Sequence, residues 1–565
     1  MATAAVLLKQ LRAARSTFGS AAEQTKLHLL AELARLRLTT PVQLIAYHED
    51  LLFLIAFPGN KATRRHAARE LGGFSRRWAD CSKRARRAAD DSGIAGTVSR
   101  PPLAWPLAVL LAGNEAIDID WAAVEDADAL DALIARVVPE SEEDAYASGH
   151  YSTRSWVELA RPRQRSDSAL RWLIRSATIL APQAGFAAAW NATEVPLAWS
   201  LNDSRRAITH ARLSRRRAVQ RDALRRLAEP ATRLIERPLE AIELLSSRHA
   251  RRVIDLARSA LAARCREVHA MTHANAAEVH LADLGEGVEL AVIGVTPPHR
   301  LLLEANYGYL LMSNGVPIGY GGVSPLFRQA NTGINIFDAF RGSEAAFLWA
   351  QMLRTFRSLF GVRRFVINGY QFGAGNSEAI ASGAYWFYYR LGFRPGRPEQ
   401  ARLAAVEAQR LARPRAAPTS RALLRRLAHG DLHLDLGDFQ AEDAFDEAAL
   451  SLLGGVIARR IAALPVRTQA EGERHLARGL ARALDVGSMA DWSAAELHGF
   501  RRLAPLVRLA DTARWTSAER RDLARWLRAK GAPVEREFAL LASHQSKLFA
   551  SLAAAGRGEL DRLNE

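Results

Sequence analysis

The residues whose types and spacing point most directly to chemistry lie between Asn306 and Pro395. From residue 343 onward, apolar side chains recur every three or four positions, which predicts a helix that begins just after Arg341. A helix N-terminus has unpaired N–H groups and a partial positive charge, so it binds pyrophosphate well, and a guanidinium beside it adds a phosphate partner. The residues expected to hold such a group are Arg341, Gly342, Ser343, Ala345 and Ala346.

Glu344 places a carboxylate in the first turn of this predicted helix. The helix dipole favours an acidic residue there, with Ser343 as the N-cap, but the same charge repels a diphosphate. Two alternatives follow. Either the Glu344 side chain turns away and the phosphate site remains usable, or the site has lost or changed its ligand.

A glycine-rich loop, Gly369 to Asn376, follows a predicted strand and precedes a second predicted helix. Gly373 and Gly375 let a backbone approach a ligand closely and are candidates to cradle a phosphate. Glycine-rich turns are also common without a ligand, so an ordinary turn is the alternative interpretation.

The spacing of apolar residues predicts the strands and helices that position these residues, because it changes from every second residue to every third or fourth residue along the segment. Strands are predicted at Tyr307–Met312, Val316–Val323 and Gly333–Phe340, with a hairpin turn at Asn314-Gly315. A helix then runs to Gly361, a fourth strand covers Val362–Asn368, and a second helix covers Ala379–Leu391. Upstream, Pro238–His269 is typical of a long amphipathic helix, and two strands flank Gly285-Glu-Gly287. This order predicts a compact α+β unit.

Two motifs at the junctions carry a family resemblance. Arg341-Gly-Ser-Glu-Ala-Ala346 lies over a helix-opening pattern of Gln or Arg, two residues, Gly, one residue, and Gly or Ala. Ala381 to Phe393 lies over the pattern Asn, two residues, Ala, three residues, Tyr, three residues, Gly-Phe, with Ala384, Tyr388 and Gly392-Phe393 matching. The segment therefore resembles the cofactor-binding half of a GNAT-type N-acyltransferase. It departs from that family's pattern at Glu344 and Ala381.

The resemblance implies an enzyme that transfers an acyl group from acetyl-CoA or another acyl-CoA to an amine. In that case Tyr388 is the general acid that protonates the departing thiolate. Asp338, on the third predicted strand, is the best-placed carboxylate to accept the amine proton, with Glu344 and Glu378 in reserve. The acceptor is not identified by the sequence, although large helical flanks suggest a macromolecular one. The alternative is a non-catalytic scaffold or regulatory protein with a GNAT-like domain.

Length and composition indicate the number of domains and the cellular compartment. The chain has 565 residues, 49% of them apolar, a net charge of +17 and only two cysteines, Cys81 and Cys265. The length predicts several domains, and the isolated thiols predict a reducing compartment. The first residues lack a secretory pattern and the longest apolar run is too short to span a bilayer, so we expect a cytoplasmic protein without a membrane span.

The predicted organisation is a helical N-terminal region over residues 1–237, possibly of two subdomains, and a GNAT-like α+β domain over residues 238–395. A helical linker over residues 396–420 and a helical domain over residues 421–565 follow. The overall fold class is α+β, a central mixed sheet with helices flanked by mainly helical regions.

Three further segments have patterns of polar residues that can be interpreted either as ordinary structure or as a functional site. His48-Glu49-Asp50 interrupts an apolar run and indicates either the solvated side of a helix, which we favour, or a small polar site. The arginine-rich run Arg205–Arg226 is a candidate nucleic-acid surface but lacks aromatic residues for base stacking. His429 to Asp435 alternates with leucine, which favours a half-buried strand over a metal site, so no metal is expected.

Overall fold

In the computed structural model the chain is α+β, with a central mixed sheet between two mainly helical regions. The structure describes residues 3–162, 167–214, 217–239, 241–342, 344–437, 439–440, 443–445 and 447–565. Within these ranges, every helix is too short or too polar to cross a lipid bilayer.

The N-terminal region packs short helices around two hydrophobic cores. Thr40 caps the third helix by accepting the Gln43 N–H, and Pro41 occupies the first helical position. Buried side chains between Ala95 and Ala207 form a core of their own around a three-stranded antiparallel sheet with strand order β1-β3-β2. The helices are α1 (Ala4–Ala14), α2 (Ser20–Arg35), α3 (Pro41–Ala56), α4 (Lys61–Gly72), α5 (Lys83–Arg87), α6 (Trp105–Asn114), α7 (Asp128–Ala135), α8 (Glu143–Ala147), α9 (Thr153–Ala160), α10 (Ala169–Ala177), α11 (Phe186–Ala192) and α12 (Ala231–Glu236), and the strands are β1 (Val98–Ser99), β2 (Ile117–Ile119) and β3 (Leu197–Ser200).

The central sheet positions the candidate site. Its strands follow the order β12-β13-β11-β9-β8-β7-β6-β5-β4, and β10 pairs with β8. Neighbours are antiparallel except β9 and β11, which are parallel and are joined through helix α15. The strands are β4 (Ile242–Leu244), β5 (Ala274–Gly285), β6 (Val288–Val295), β7 (Tyr307–Ser313), β8 (Val316–Leu326), β9 (Gln329–Thr332), β10 (Asn335–Ile336), β11 (Arg364–Ile367), β12 (Arg394–Pro395) and β13 (Leu432–Asp435), and the helices among them are α13 (Ser247–Ala262), α14 (His269–Thr272), α15 (Ala345–Phe360), α16 (Ser377–Ser382), α17 (Ala384–Arg390), α18 (Pro398–Leu411) and α19 (Arg421–Leu427).

The C-terminal helices pack against one end of this sheet through a buried polar contact. The Glu278 carboxylate on β5 accepts the N–H groups of Glu535 and Arg536, each at 2.8 Å, and the Tyr307 hydroxyl also at 2.8 Å. These bonds tie the two regions together, and those from the Tyr307 hydroxyl and the Glu535 N–H lie away from water. The helices are α20 (Glu447–Ser451), α21 (Leu453–Ala462), α22 (Gln469–Ala483), α23 (Ala494–Val507), α24 (Ser517–Ala529), α25 (Arg536–Ala542) and α26 (Ser546–Asn564).

The predicted hairpin turn at Asn314-Gly315, the two strands that flank Gly285-Glu-Gly287 and the predicted helix after Arg341 are confirmed. Asn314 and Gly315 have positive φ values of 49° and 78°, as a type I′ hairpin turn requires, and the turn joins β7 to β8. Helix α15 ends at Gly361, whose φ of 68° is left-handed.

Three predicted elements are wrong in their extent. Residues 242–244 form strand β4 rather than the first turns of a long helix, because Ile242 to Leu244 pair with β5. The third predicted strand is reduced to β10, and Asp338 lies in a 3₁₀ turn, Asp338–Phe340, instead of on a strand. The second predicted helix is interrupted at Gly383, which has a φ of 66°.

The sheet also takes a strand from beyond residue 420. Strand β13 pairs with both β11 and β12, and its leucines Leu432 and Leu434 are buried, as the alternating pattern predicted. The proposed linker contains helix α18. The division into four domains stays a prediction.

Candidate functional site

The candidate residues converge where the two parallel strands of the central sheet end. The chain leaves β9 after Thr332 and leaves β11 after Ile367, and both connections emerge at the same edge of the sheet. The two connections are closely packed, since a Cβ on Gly333 would lie 2.6 Å from the Gln371 side chain. Ligands of open α/β sheets bind at such carboxyl ends, where neighbouring connections diverge.

Three charged side chains from these connections form an exposed cluster. The Arg341 Nη2 atom lies 2.9 Å from Asp338 Oδ1 and 2.6 Å from Glu378 Oε1. The side chains of Arg341, Asp338 and Glu378 are 56%, 68% and 62% exposed, so each is open to solvent and to a ligand. All three residues were named from the sequence, and the structure brings Glu378 to Arg341, which is 37 positions earlier in the chain.

The connection that carries Asp338 is held from below by an aromatic residue. Phe337 lies between the guanidinium of Arg264, at 3.8 Å from the ring centroid, and the ring of Tyr320, at 5.3 Å. Burial lowers the pKa of Arg264 to about 10, which leaves the side chain charged at neutral pH. This cation–π contact fixes the turn that presents Asp338 and Arg341.

The N-terminus of α15 opens next to the cluster. Gly342 has a φ of 78° and is exposed, while Ala345 and Ala346 are half-buried. Among the described residues, no side chain caps the first turn of this helix. Ser343, the predicted N-cap, lies outside the described residues. Gly342, which directly precedes this helix start in the described chain, is thus accessible from solvent, and a helix N-terminus carries a partial positive charge.

Glu344 does not project into that region. Its carboxylate is fully buried and forms an ion pair with Arg221, and its Oε1 atom accepts the Arg225 N–H at 2.5 Å. Burial raises the pKa of the Glu344 carboxyl group, while the Arg225 N–H and Arg221 oppose that shift. The Glu344 side chain therefore turns inward, which the first of the two alternatives requires, while a usable phosphate site stays a prediction.

The segment that supplies Arg221 is fixed on three sides. The Arg221 N–H donates to the Pro58 carbonyl at 2.8 Å, and Arg221 Nη1 donates to the Glu286 carbonyl at 2.9 Å. Its guanidinium also lies 5.5 Å from the centroid of the Phe57 ring. Helix α3, the β5–β6 hairpin and α15 are thus joined around one buried cation.

Tyr388 lies directly beneath the connection from β9. It is 2% exposed and packs against the rings of Trp349, Phe372 and Phe393. Its hydroxyl group accepts the backbone N–H of Ile334, and burial raises the pKa of Tyr388 above its usual range. The hydroxyl is therefore protonated at neutral pH, and the burial of the side chain closes it to solvent.

Gly373 and Gly375 line a groove of about 1220 Å³ on the other side of Glu378. Gly373 has a φ of 146°, and a Cβ there would lie 2.4 Å from Ile380 Cδ1, so the site requires glycine. The opposite wall is built from the chain after residue 395 and contains Arg397, Arg421 and Arg425. We call the whole cavity between these two walls the arginine groove.

Sequence reasoning did not identify those three arginines as site residues. Arg421 and Arg425 are four positions apart on α19, the spacing that places two side chains on one helix face. That spacing was the available signal. It was hidden because arginine is abundant throughout this chain and because only the fold brings α19 to the loop of Gly373.

The other polar segments are engaged elsewhere. In the arginine-rich run, Arg206 pairs with Glu115 at 3.1 Å and Asp255 at 2.5 Å, and Arg225 pairs with Glu286. Residues 215 and 216 lie outside the described residues. Several arginines of this run therefore already form ion pairs with carboxylates of the same protein.

The interpretation of His48 and Asp50 as a solvated helix side is wrong. Both are buried in α3. His48 Nε2 lies 2.9 Å from Thr209 Oγ1, and Asp50 Oδ1 accepts Arg12 Nε at 2.6 Å and Arg15 Nη1 at 2.7 Å. Burial lowers the pKa of His48 to about 3, so its imidazole is neutral. This network joins α1, α3 and the segment after β3.

No protein-family model, no curated protein and no solved structure matches this chain.

Proposed function

We propose that the protein is an acyl-CoA-dependent N-acyltransferase of the GNAT type. The observation that carries this proposal is the convergence of Asp338, Arg341, Glu378 and the N-terminus of α15 at the carboxyl ends of β9 and β11. Tyr388 is buried near the connection that follows β9, where its hydroxyl group accepts the Ile334 N–H. The resemblance in sequence assigns roles to the same residues.

In this proposal the donor binds through its phosphates. Arg341 and the backbone N–H groups of Ala345 and Ala346 hold the pyrophosphate of acetyl-CoA or another acyl-CoA, because a guanidinium and a helix N-terminus both stabilise negative charge. Asp338 and Glu378 exchange their contact with Arg341 for contact with the acceptor. Because these side chains are exposed, breaking their ion pairs with Arg341 costs little free energy, as exposed ion pairs contribute only about 0–1 kcal/mol.

The transfer step forms one C–N bond and breaks one C–S bond. The neutral amine attacks the thioester carbonyl, Asp338 accepts the proton that the nitrogen loses, and Tyr388 donates its proton to the departing thiolate. The raised pKa of Tyr388 keeps that proton in place until the thiolate forms. Movement of the Ile334 segment exposes the hydroxyl group when the donor binds.

The alternative from another functional class is a non-catalytic scaffold or regulatory protein. The burial of Tyr388 and the replacement of the family's central glycine by Glu344 favour it. A cytoplasmic location agrees with either function, as Cys81 and Cys265 are both free thiols. A nucleic-acid function is less well supported, because Arg206, Arg221 and Arg225 already pair with carboxylates of the protein.

Calorimetric titration with acetyl-CoA separates the two main functions. We expect micromolar binding by the wild-type protein and binding about tenfold weaker by Arg341→Ala, because one charge-assisted phosphate contact is lost. Arg514→Ala is the matched control, since Arg514 is exposed and contacts only Asp511 among the ion pairs of the described residues. Absence of binding by the folded wild-type protein would reject the acyltransferase and leave the scaffold.

A further inference from the structure

The arginine groove has a strong excess of positive charge. Arg397, Arg421 and Arg425 line it, and none of these guanidinium groups has an ion-pair partner among the described residues. Glu378 is the one carboxylate among the lining residues, and it is already paired with Arg341. Unpaired guanidinium groups around a concave surface attract anions, and their planar forks match the geometry of phosphate oxygens.

The backbone of the groove also permits close approach by a ligand. Gly375 has a φ of 68°, and a Cβ on it would meet no atom within 4 Å, so this side of the wall is open. Gly369 is packed so closely on the residues after α19 that a Cβ would lie 2.5 Å from the Ala428 carbonyl oxygen. The Gly369 N–H further donates to Asp431 at 3.1 Å, which fixes the two walls relative to each other.

Glu378 connects the groove to the proposed transfer site. It lines the groove and its Oε1 atom is also the partner of Arg341. A ligand that fills the groove therefore ends beside Arg341 and Asp338. The volume of about 1220 Å³ suits a small molecule with several polar groups better than a nucleic-acid duplex.

We propose that the arginine groove binds the phosphate-bearing part of the amine acceptor, so that the acceptor is a small phosphorylated amine. This inference rests on the proposed acyltransferase function. The phosphate lies against Arg397, Arg421 and Arg425, and the amine lies at the Glu378 end. There the acidic side chains stabilise it and accept its proton.

The test is calorimetry with inorganic pyrophosphate as the probe, on the full chain, with and without saturating CoA. Arg421→Gln/Arg425→Gln removes two charges of the groove, and Arg426→Gln is the matched control on the same helix, where Arg426 faces Glu399 at 3.8 Å. We expect pyrophosphate to bind in the presence of CoA, the double variant to bind it at least tenfold more weakly, and the control to stay within about twofold of wild type. The acetyl-CoA affinity of the double variant should also stay within about twofold. Thermal unfolding confirms that each variant is folded.

The other outcomes overturn the inference in distinguishable ways. Equal pyrophosphate affinities for all three proteins would remove the groove as an anion site. A parallel loss of acetyl-CoA affinity in the double variant, or displacement of pyrophosphate by CoA, would assign the groove to the donor. Binding of a single-stranded oligonucleotide but not of pyrophosphate would replace the small acceptor by nucleic acid. Pyrophosphate binding without any acetyl-CoA binding would reject the proposed function, and with it the acceptor, while leaving an anion site.

Discussion

The carboxylate of Glu344 and the guanidinium of Arg221 form an ion pair that is closed to solvent, with exposures of 0% and 1% for the two side chains. The two residues are 123 positions apart. Because the pair is buried, the negative charge of Glu344 at the start of α15 is neutralised inside the protein and is not presented to solvent. The same pair stabilises the junction between the N-terminal region and the central sheet.

Removal of Arg221 should therefore destabilise the protein strongly. Arg221→Ala leaves a buried carboxylate without its counter-ion, and a loss of about 3–5 kcal/mol in the free energy of unfolding is expected. Glu344→Gln should cost less, since an amide oxygen still accepts the Arg225 N–H. Urea denaturation measures both. Arg237→Ala, which breaks the surface pair with Glu229, is the control and should change the free energy of unfolding by less than about 1 kcal/mol. If Arg221→Ala lowers the free energy of unfolding no more than this control does, the buried pair does not stabilise the fold.

Tyr388→Phe separates the proposed acid from its packing role. The ring contacts with Trp349 and Phe393 remain and only the hydroxyl group is lost, so stability should fall by about 1 kcal/mol. Turnover of acetyl-CoA with an amine acceptor should fall by about a hundredfold or more. Tyr385→Phe is a close control, because the buried Tyr385 hydroxyl has no hydrogen-bond partner among the described residues. If both variants keep full turnover, Tyr388 is not the acid.

Gly373 and Gly375 should respond differently to alanine. At Gly373 a Cβ would lie 2.4 Å from Ile380, and the φ of 146° is one that residues with a side chain rarely adopt. Gly373→Ala should lose roughly 2 kcal/mol or more of stability and weaken pyrophosphate binding in the groove. Gly375→Ala meets open space and only the backbone strain remains, about 1 kcal/mol. Parallel urea denaturation checks this order, and a reversed order would contradict the described loop.

Stability should depend on pH through Glu278. Burial raises the pKa of this carboxyl group to about 7, above its ordinary value of 4.5, so the folded protein holds a proton that the unfolded chain has lost between those pH values. The free energy of unfolding should consequently decrease as pH rises from about 4.5 to about 7, by roughly 3 kcal/mol from this group. Glu278→Gln should flatten that part of the profile, whereas Glu243→Gln, at an exposed position on β4, should not. An unchanged profile in Glu278→Gln would exclude this group as the cause.

The local pattern of the sequence predicted those parts of the fold that depend on local chemistry. The turn at Asn314-Gly315 and the helix end at Gly361 are specified by residues that tolerate positive φ, and both were predicted correctly. Strand β4 was assigned to a helix, because its pairing with β5 is a tertiary contact that helical periodicity does not reveal.

The candidate site likewise contains residues that the local sequence identified and residues that only the fold reveals. Arg341 and Glu378 were identifiable because they lie next to the starts of predicted helices, whereas Asp338 was named as a carboxylate on a predicted strand that the structure replaces by a 3₁₀ turn. The partner of Glu344 and the arginines opposite Gly373 come from distant parts of the chain, and no local pattern marks them. Asp50 is similar, since its burial is stabilised by Arg12 and Arg15 from another helix.

In the proposed function, an acyl-CoA donor binds where the connections after β9 and β11 meet. Hydrogen–deuterium exchange of the full chain, with and without acetyl-CoA, tests this location directly. We expect slower exchange in peptides that cover residues 333–342 and 344–348, with little change in the C-terminal helices. Protection confined to other parts of the chain, or no protection at saturating acetyl-CoA, would contradict it.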